Sequence, residues 1–351
     1  MTPLQRLGMT IPIVQAPMAG VSTPELAAAV SNAGGLGSIG VGATNVAGAR
    51  AMIEKVRAQT VRAFNVNLFV HAAPQTDPKR EKEWLKALGP TFRSFGVEPP
   101  ETLATIYRTF ADDDEMLAML VEAAPPVVSF HFGLPAEDRL SALRSVGSIL
   151  VASATSLAEA RLVEAAGIDV VVAQGWEAGG HRGVFDPSAQ DDQLGLSALT
   201  RLMVTQTGLP VIAAGGIMDG AGIRAALDLG AVAAQLGTAF IACPESSADE
   251  DYRKVLASES AHHTIMTRGI SGRPARCLAN RFTHWAAKNS LTPPDYPICY
   301  DAGKALNAAA KACGEHGFGA HWAGQGAPLT RPMSARALVE LLWKEASRGG
   351  A

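Results

Sequence analysis

Residues 210–237 read PVIAAGGIMDGAGIRAALDLGAVAAQLG. An apolar run, PVIAAGG (210–216), passes through the helix-forming DGAGIRAALDLG into a second apolar run, AVAAQLG (231–237). Runs this continuously apolar suit strands buried on both faces. The connection is near the minimum for a right-handed crossover between parallel strands. Working outward, six more runs repeat the pattern: IPIVQAPM (11–18), LGSIGVG (36–42), AFNVNLFV (63–70), VVSFHFG (127–133), SILVASAT (148–155) and DVVVAQG (169–175). Helical stretches separate them. One of these, STPELAAAVSNAG, opens on a cap signal, carries Pro24 early and stops at glycine. Eight such units predict a TIM (β/α)8 barrel, with a doubly wound open sheet as the competing arrangement.

The barrel is expected over 1–70 and 127–244. Residues 71–126 interrupt the period with APQTDPKREKEW, PTFRSFGVEPPE and ADDDE, and read as a helical insertion after the third strand. Residues 245–333 are expected to form a C-terminal helical lid, a smaller substrate segment over the barrel's carboxyl end. The amphipathic SARALVELLWKEA within 334–351 is expected to pack on the barrel as its last helix.

Composition narrows the function. The 351-residue chain is 48% hydrophobic and 18% charged, with a net charge of −3 and no dense Lys/Arg run. That points to small-molecule partners rather than nucleic acid or membrane. Cys243, Cys277, Cys299 and Cys313 form no CxxC pair and no zinc spacing. They read as free thiols, and with no signal-like start or spanning run a soluble, cytoplasmic protein is expected. No metal site is predicted, and the oligomeric state is left open.

Gly35, Gly37 and Gly40 match the dinucleotide pattern GxGxxG but follow a helix and lie inside a strand, so they mark tight packing. AAGGIMDG (213–220) and QLGT (235–238) instead sit at carboxyl strand ends, in the last two loops, where barrels bind phosphate through backbone N–H groups. Gly215, Gly216, Gly237 and Thr238 are the candidates there. A phosphate without a NAD fingerprint or Walker motif suggests FMN. The sixth loop, QGWEAGGHRG (174–183), adjoins that site, so Gln174, Gly179 and Gly180 can pass along a flavin ring. Asn67 ends the third strand and Gln15, Ala16, Pro17 and Met18 end the first, where amides can meet the ring edge or simply satisfy backbone.

PIVQAPMAG, AGGLGSIG, FNVNLF, QGWEAGGHRG, AAGGI and QLGTAF, with Tyr252 and YPICYDAGKALN (296–307) in the lid, resemble the class I nitronate monooxygenases, formerly called 2-nitropropane dioxygenases. The resemblance implies a TIM-like barrel holding FMN without metal. It implies that Asn67, Gln174, Gly179, Gly216, Gln235, Leu236, Gly237 and Thr238 hold the FMN, and that His181 is catalytic. It further implies oxidation of a nitronate such as propionate 3-nitronate by O2, and detoxification of a nitro toxin.

An exposed ring, an anion partner and a proton-handling group are what that chemistry needs. Imidazole at His181 can donate to nitronate oxygens or take a proton from a neutral nitroalkane. Tyr296, Tyr300 and Lys304 recur every four residues and would share a helix face, as substrate-binding groups or as tyrosines packed beneath a solvated lysine. The resemblance favours the first reading and adds Tyr107 and Tyr252. His131 ends the fourth strand, facing the pocket or satisfied within the barrel. Two alternatives stay open: an NAD(P)H-dependent FMN reductase acting on a quinone or enoyl thioester, and a flavin-binding protein without catalysis.

Overall fold

The computed structural model describes residues 2–348. Eight parallel strands form the barrel: β1 (Ile13–Gln15), β2 (Gly37–Gly40), β3 (Phe64–Phe69), β4 (Val127–His131), β5 (Ile149–Ala154), β6 (Val170–Gln174), β8 (Val211–Ala214) and β9 (Ala233–Leu236). β9 pairs with β1 through Ile13–Ala234, and a parallel bridge between Val14 and Leu36 brings β1 against β2. The sheet therefore curls on itself as a TIM barrel, not an open sheet. β7 (Gly180–His181), β10 (Thr264–Thr267) and β11 (Ala275–Leu278) form a separate antiparallel sheet.

Local chemistry sets the elements. Thr23 Oγ1 accepts from Leu26 N at 3.0 Å and caps the helix Pro24–Asn32, which ends before Gly34 at φ +96°. Gly37 lies within β2, where a Cβ would sit 1.9 Å from the Ala27 carbonyl oxygen. The GxGxxG thus lets a strand press flush on a helix. The last described helix, Ala335–Arg348, buries Leu338, Val339 and Leu342 against the helices Gly220–Asp228 and Pro24–Asn32. It takes the eighth place in the outer ring; residues 349–351 of the segment expected there lie outside the described residues.

Segment 71–126 divides in two. Pro78–Ser94 packs Trp84, Leu88 and Phe92 against Phe282 and Leu306 of the C-terminal region, with Leu306 on the helix Ile298–Ala312. Asp114–Ala123 belongs to the barrel wall, its Met116, Met119 and Leu120 sharing a core with Val56 and Leu143. Reading the whole stretch as insertion overlooked that barrel helix, because the acidic ADDDE caps it: Asp113 Oδ1 accepts from Met116 N. No helix among the described residues is long and apolar enough to cross a membrane.

Leu342 is fully buried between the terminal helix and the barrel. Leu342→Ala is expected to cost about 2–5 kcal/mol in urea unfolding. A loss below about 0.5 kcal/mol, as for a surface position, would contradict the docking of this helix.

Candidate functional site

A cavity of about 490 Å³ opens at the carboxyl ends of the barrel strands, roofed by the C-terminal region. At one end, Ala16, Pro17, Met18, Gly215, Gly216, Gln235, Gly237 and Thr238 line it. Gly215 (φ +143°) and Gly216 (φ +68°) adopt backbone that side chains resist, which turns the strand end sharply into the wall. Among the described residues, the N–H groups of Gly216, Gly237 and Thr238 find no protein acceptor. Thr238 Oγ1 accepts from Gly324 N at 3.0 Å, tying the roof to this end. Leu236 differs from its expected role: it is buried in the apolar cluster with Ile13 and Ala234, and only its carbonyl reaches the strand-1 turn, accepting from Ala16 N.

The amides at the strand ends are largely spoken for. Gln174 Nε2 donates to the His181 carbonyl (3.0 Å) and its Oε1 accepts from Gly183 N (2.7 Å). Gln15 is sealed away from the cavity, accepting from Ser38 N and donating to Ser22 Oγ. Asn67 lines the cavity and donates to Ser129 Oγ at 2.9 Å, leaving Oδ1 without a protein partner. Of the three, Asn67 alone keeps a group free for a ligand. Glu177 accepts from Leu196 N and caps the helix Leu196–Gln206. Gly179 packs where a Cβ would lie 2.4 Å from Gly324 N, and Gly180 and His181 form β7 against Arg276 and Ala275. The glycine loop is therefore a strand edge joined to the C-terminal region.

That pairing half-buries His181. Phe132, Tyr296 and Trp322 surround its ring at 5.6, 5.3 and 5.1 Å between centroids. Nε2 stands 2.8 Å from Ser271 Oγ, while Nδ1 has no protein partner and opens on the cavity. Burial, with His131 and the Arg273 guanidinium nearby, pushes the imidazole down to about 3, so it is neutral at neutral pH. Arg273 is itself buried, forms no ion pair among the described residues, and lies 4.3 Å over the Phe132 ring. Phe132 has φ +78°, a strained conformation for a bulky residue, held by this packing. His131 lines the cavity, but both its nitrogens are engaged, by Ser153 Oγ and the His181 carbonyl.

Tyr107, Tyr300 and Lys304 form the far wall. The Lys304 ammonium sits 4.8 Å from the Tyr107 ring centroid and 5.5 Å from that of Tyr300, with no ion pair among the described residues. Lys304 is exposed, yet desolvation by the surrounding wall lowers its pKa, opposed by Asp301. Tyr296 joins this group from a different place than expected. The helix begins at Ile298 with Pro297 as its cap residue, so Tyr296 precedes it rather than sharing its face. Its hydroxyl is buried without a partner among the described residues. Burial raises the pKa of all three phenols, Tyr107 to about 12, so they stay neutral donors. Tyr252 also lines the cavity, but its hydroxyl donates to the Trp322 carbonyl and its ring stacks on His321, which makes it a support of the roof.

The sequence reading missed Trp322, His321, Ser271 and Arg273. A signal existed for Arg273: SGRPAR (271–276) carries two arginines without an acid within four residues on either side. A buried cation near an anion site reads that way.

Fold and cavity define a TIM-barrel protein with a roofed cavity at the carboxyl end, lined by unpartnered backbone N–H groups at one end and by Lys304 and two tyrosines at the other. The nitronate monooxygenase family profile matches residues 2–345. A nitronate monooxygenase of Paraburkholderia phytofirmans is 60% identical, over 97% of this chain and 94% of its own. One of Pseudomonas aeruginosa is 55% identical over 97% of each. The solved nitroalkane oxidase of Streptomyces ansochromogenes superposes with a TM-score of 0.89 at 39% identity, covering 99% of this chain and 98% of that one. The chain belongs to the nitronate monooxygenase family.

Burial lowers the pKa of three cavity histidines from 6.5: His131 to about 4, His181 to about 3 and His321 to about 4. The unfolded chain takes up protons below pH 6.5 that the folded chain refuses, so stability is full above 6.5 and falls with pH. The urea midpoint is expected to drop between pH 7 and 5, and His321→Gln to flatten the slope. A flat midpoint in the parent protein would contradict the neutral imidazoles.

Proposed function

We propose that the protein oxidises alkyl nitronates, propionate 3-nitronate among them, with FMN as resident cofactor and O2 as oxidant, in cytoplasmic detoxification of nitro compounds. The observation that carries this reading is one cavity with unpartnered backbone N–H groups at one end, an unpaired ammonium at the other and a neutral imidazole between. The glycine-lined end fits a phosphate, since three N–H groups free of protein acceptors face the cavity and can donate to its oxygens. Gly216, Gly237 and Thr238 would hold the phosphate, with Ala16, Pro17, Met18, Asn67, Gly179, Gly180 and Gln235 along the rest of the cofactor. Bound FMN supplies electron transfer from the nitronate carbon and onward to O2.

The remaining work falls to this chain's residues. Lys304 attracts the carboxylate of propionate 3-nitronate, and the phenols of Tyr107 and Tyr300 wall it from water. Phe132, Trp322 and Tyr296 fix the His181 ring, whose Nδ1 meets the substrate. A positive field from Arg273 and Lys304, neither of which forms an ion pair among the described residues, favours an anionic substrate over a neutral one.

Anaerobic mixing of the FMN-loaded protein with propionate 3-nitronate is expected to bleach the flavin absorbance quickly, whereas NADH leaves it unchanged. Bleaching by NADH alone would replace this reading with an NAD(P)H-dependent reductase, and bleaching by neither with a binding protein. Lys304→Met removes one charge-assisted hydrogen bond of about 1.5–3 kcal/mol. kcat/KM for propionate 3-nitronate is expected to fall roughly 10- to 150-fold, and far less for an alkyl nitronate without a carboxylate. Equal losses on both substrates would remove Lys304 from carboxylate recognition.

A further inference from the structure

Ser271 is fully buried in the turn before β11, and the proposed chemistry gives it no task. Its Oγ lies 2.8 Å from His181 Nε2 and 3.3 Å from the carbonyl oxygen of Arg273. A hydroxyl donates one proton and accepts others. Among the described residues, no other donor reaches that Arg273 carbonyl. Turning the Ser271 proton toward His181 would orphan a carbonyl in the interior, which folded proteins avoid. Giving it to the carbonyl leaves Oγ to accept from a protonated Nε2, and all three groups are satisfied.

We infer that Ser271 fixes His181 as the tautomer protonated on Nε2, so that a bare Nδ1 faces the cavity as an acceptor. The aromatic collar of Phe132, Tyr296 and Trp322 limits ring flipping, and the pairing of His181 with Ala275 holds the backbone beneath it. Ser271 is thus a positioning residue. The consequence for chemistry rests on the proposed function. A neutral imidazole in this state accepts a proton or hydrogen bond at Nδ1 and cannot donate to nitronate oxygens. Donation falls to the unpartnered Tyr296 hydroxyl and to Lys304.

The test is a two-bond 1H–15N spectrum of the FMN-loaded protein labelled with 15N-histidine, with His181→Gln identifying the His181 signals. The expected pattern has Nδ1 unprotonated and Nε2 protonated; the reverse would overturn the inference. In Ser271→Ala the two nitrogen shifts are expected to move toward each other as tautomers exchange. Unchanged shifts would mean that the fold fixes the ring without Ser271. Turnover supplies the second arm. Ser271→Ala is expected to lower kcat/KM about 10-fold for nitroethane, which must lose a proton, and less than about 3-fold for its nitronate. Equal losses would reduce Ser271 to a structural support. The spectra need no substrate, so a protein that failed to oxidise nitronates would leave the tautomer result standing.

Discussion

Two residues of β7 paired with two of β11 hold the site together. Gly180 and His181 lie antiparallel to Arg276 and Ala275, and Gln174 clamps the same segment by binding the His181 carbonyl and Gly183 N. A glycine-rich loop left free would leave its histidine mobile. Here the loop is a strand of the C-terminal sheet, so roof and barrel are one object where the imidazole sits. Losing the Gln174 amide would leave the buried Gly183 N–H unpaired, at about 1–3 kcal/mol, while the His181 carbonyl would keep its bond from His131 Nε2.

The electrostatics follow from that burial. Desolvation in the cavity wall holds His131, His181 and His321 neutral, and the nearby cation Arg273 adds to the effect for two. Arg273 is held by a carbonyl and an aromatic face instead of a carboxylate. Lys304 likewise rests on phenol rings. Among the described residues neither cation forms an ion pair, so their positive field is only partly offset, by Asp301 near Lys304 and by Glu159 and Asp186 near Arg273. The strained backbone of Phe132 belongs to the same design, since its ring touches His131, His181, Tyr296 and Arg273 at once.

The barrel was legible because parallel strands buried on both faces leave continuous apolar runs, and all eight runs contain a barrel strand. The helix Asp114–Ala123 was lost in an apparent insertion because acidic capping residues look like loop composition. Most of the cavity was legible too, since glycines at carboxyl strand ends leave a local mark. What stayed hidden was pairing between distant segments. Nothing local in GGH says it becomes a strand edge, nor that Gln174 turns to serve it. The phenol of Tyr252 looked like a substrate ligand because sequence shows a residue type, not where its hydroxyl points. Tyr296 kept the right neighbours by a different route, from the residue before the helix.

The central claim is that the glycine-lined end of the cavity is built for a phosphate carried on a flavin. Titrating flavin-free protein with FMN and with riboflavin, followed by flavin fluorescence, tests it directly. The two ligands share the ring and differ by the phosphate that Gly216, Gly237 and Thr238 would receive. Hydrogen bonds to a charged group contribute about 1.5–3 kcal/mol each, so FMN is expected to bind one per chain and at least about 100-fold tighter than riboflavin. Equal affinities for the two, or no saturable binding of FMN, would contradict it.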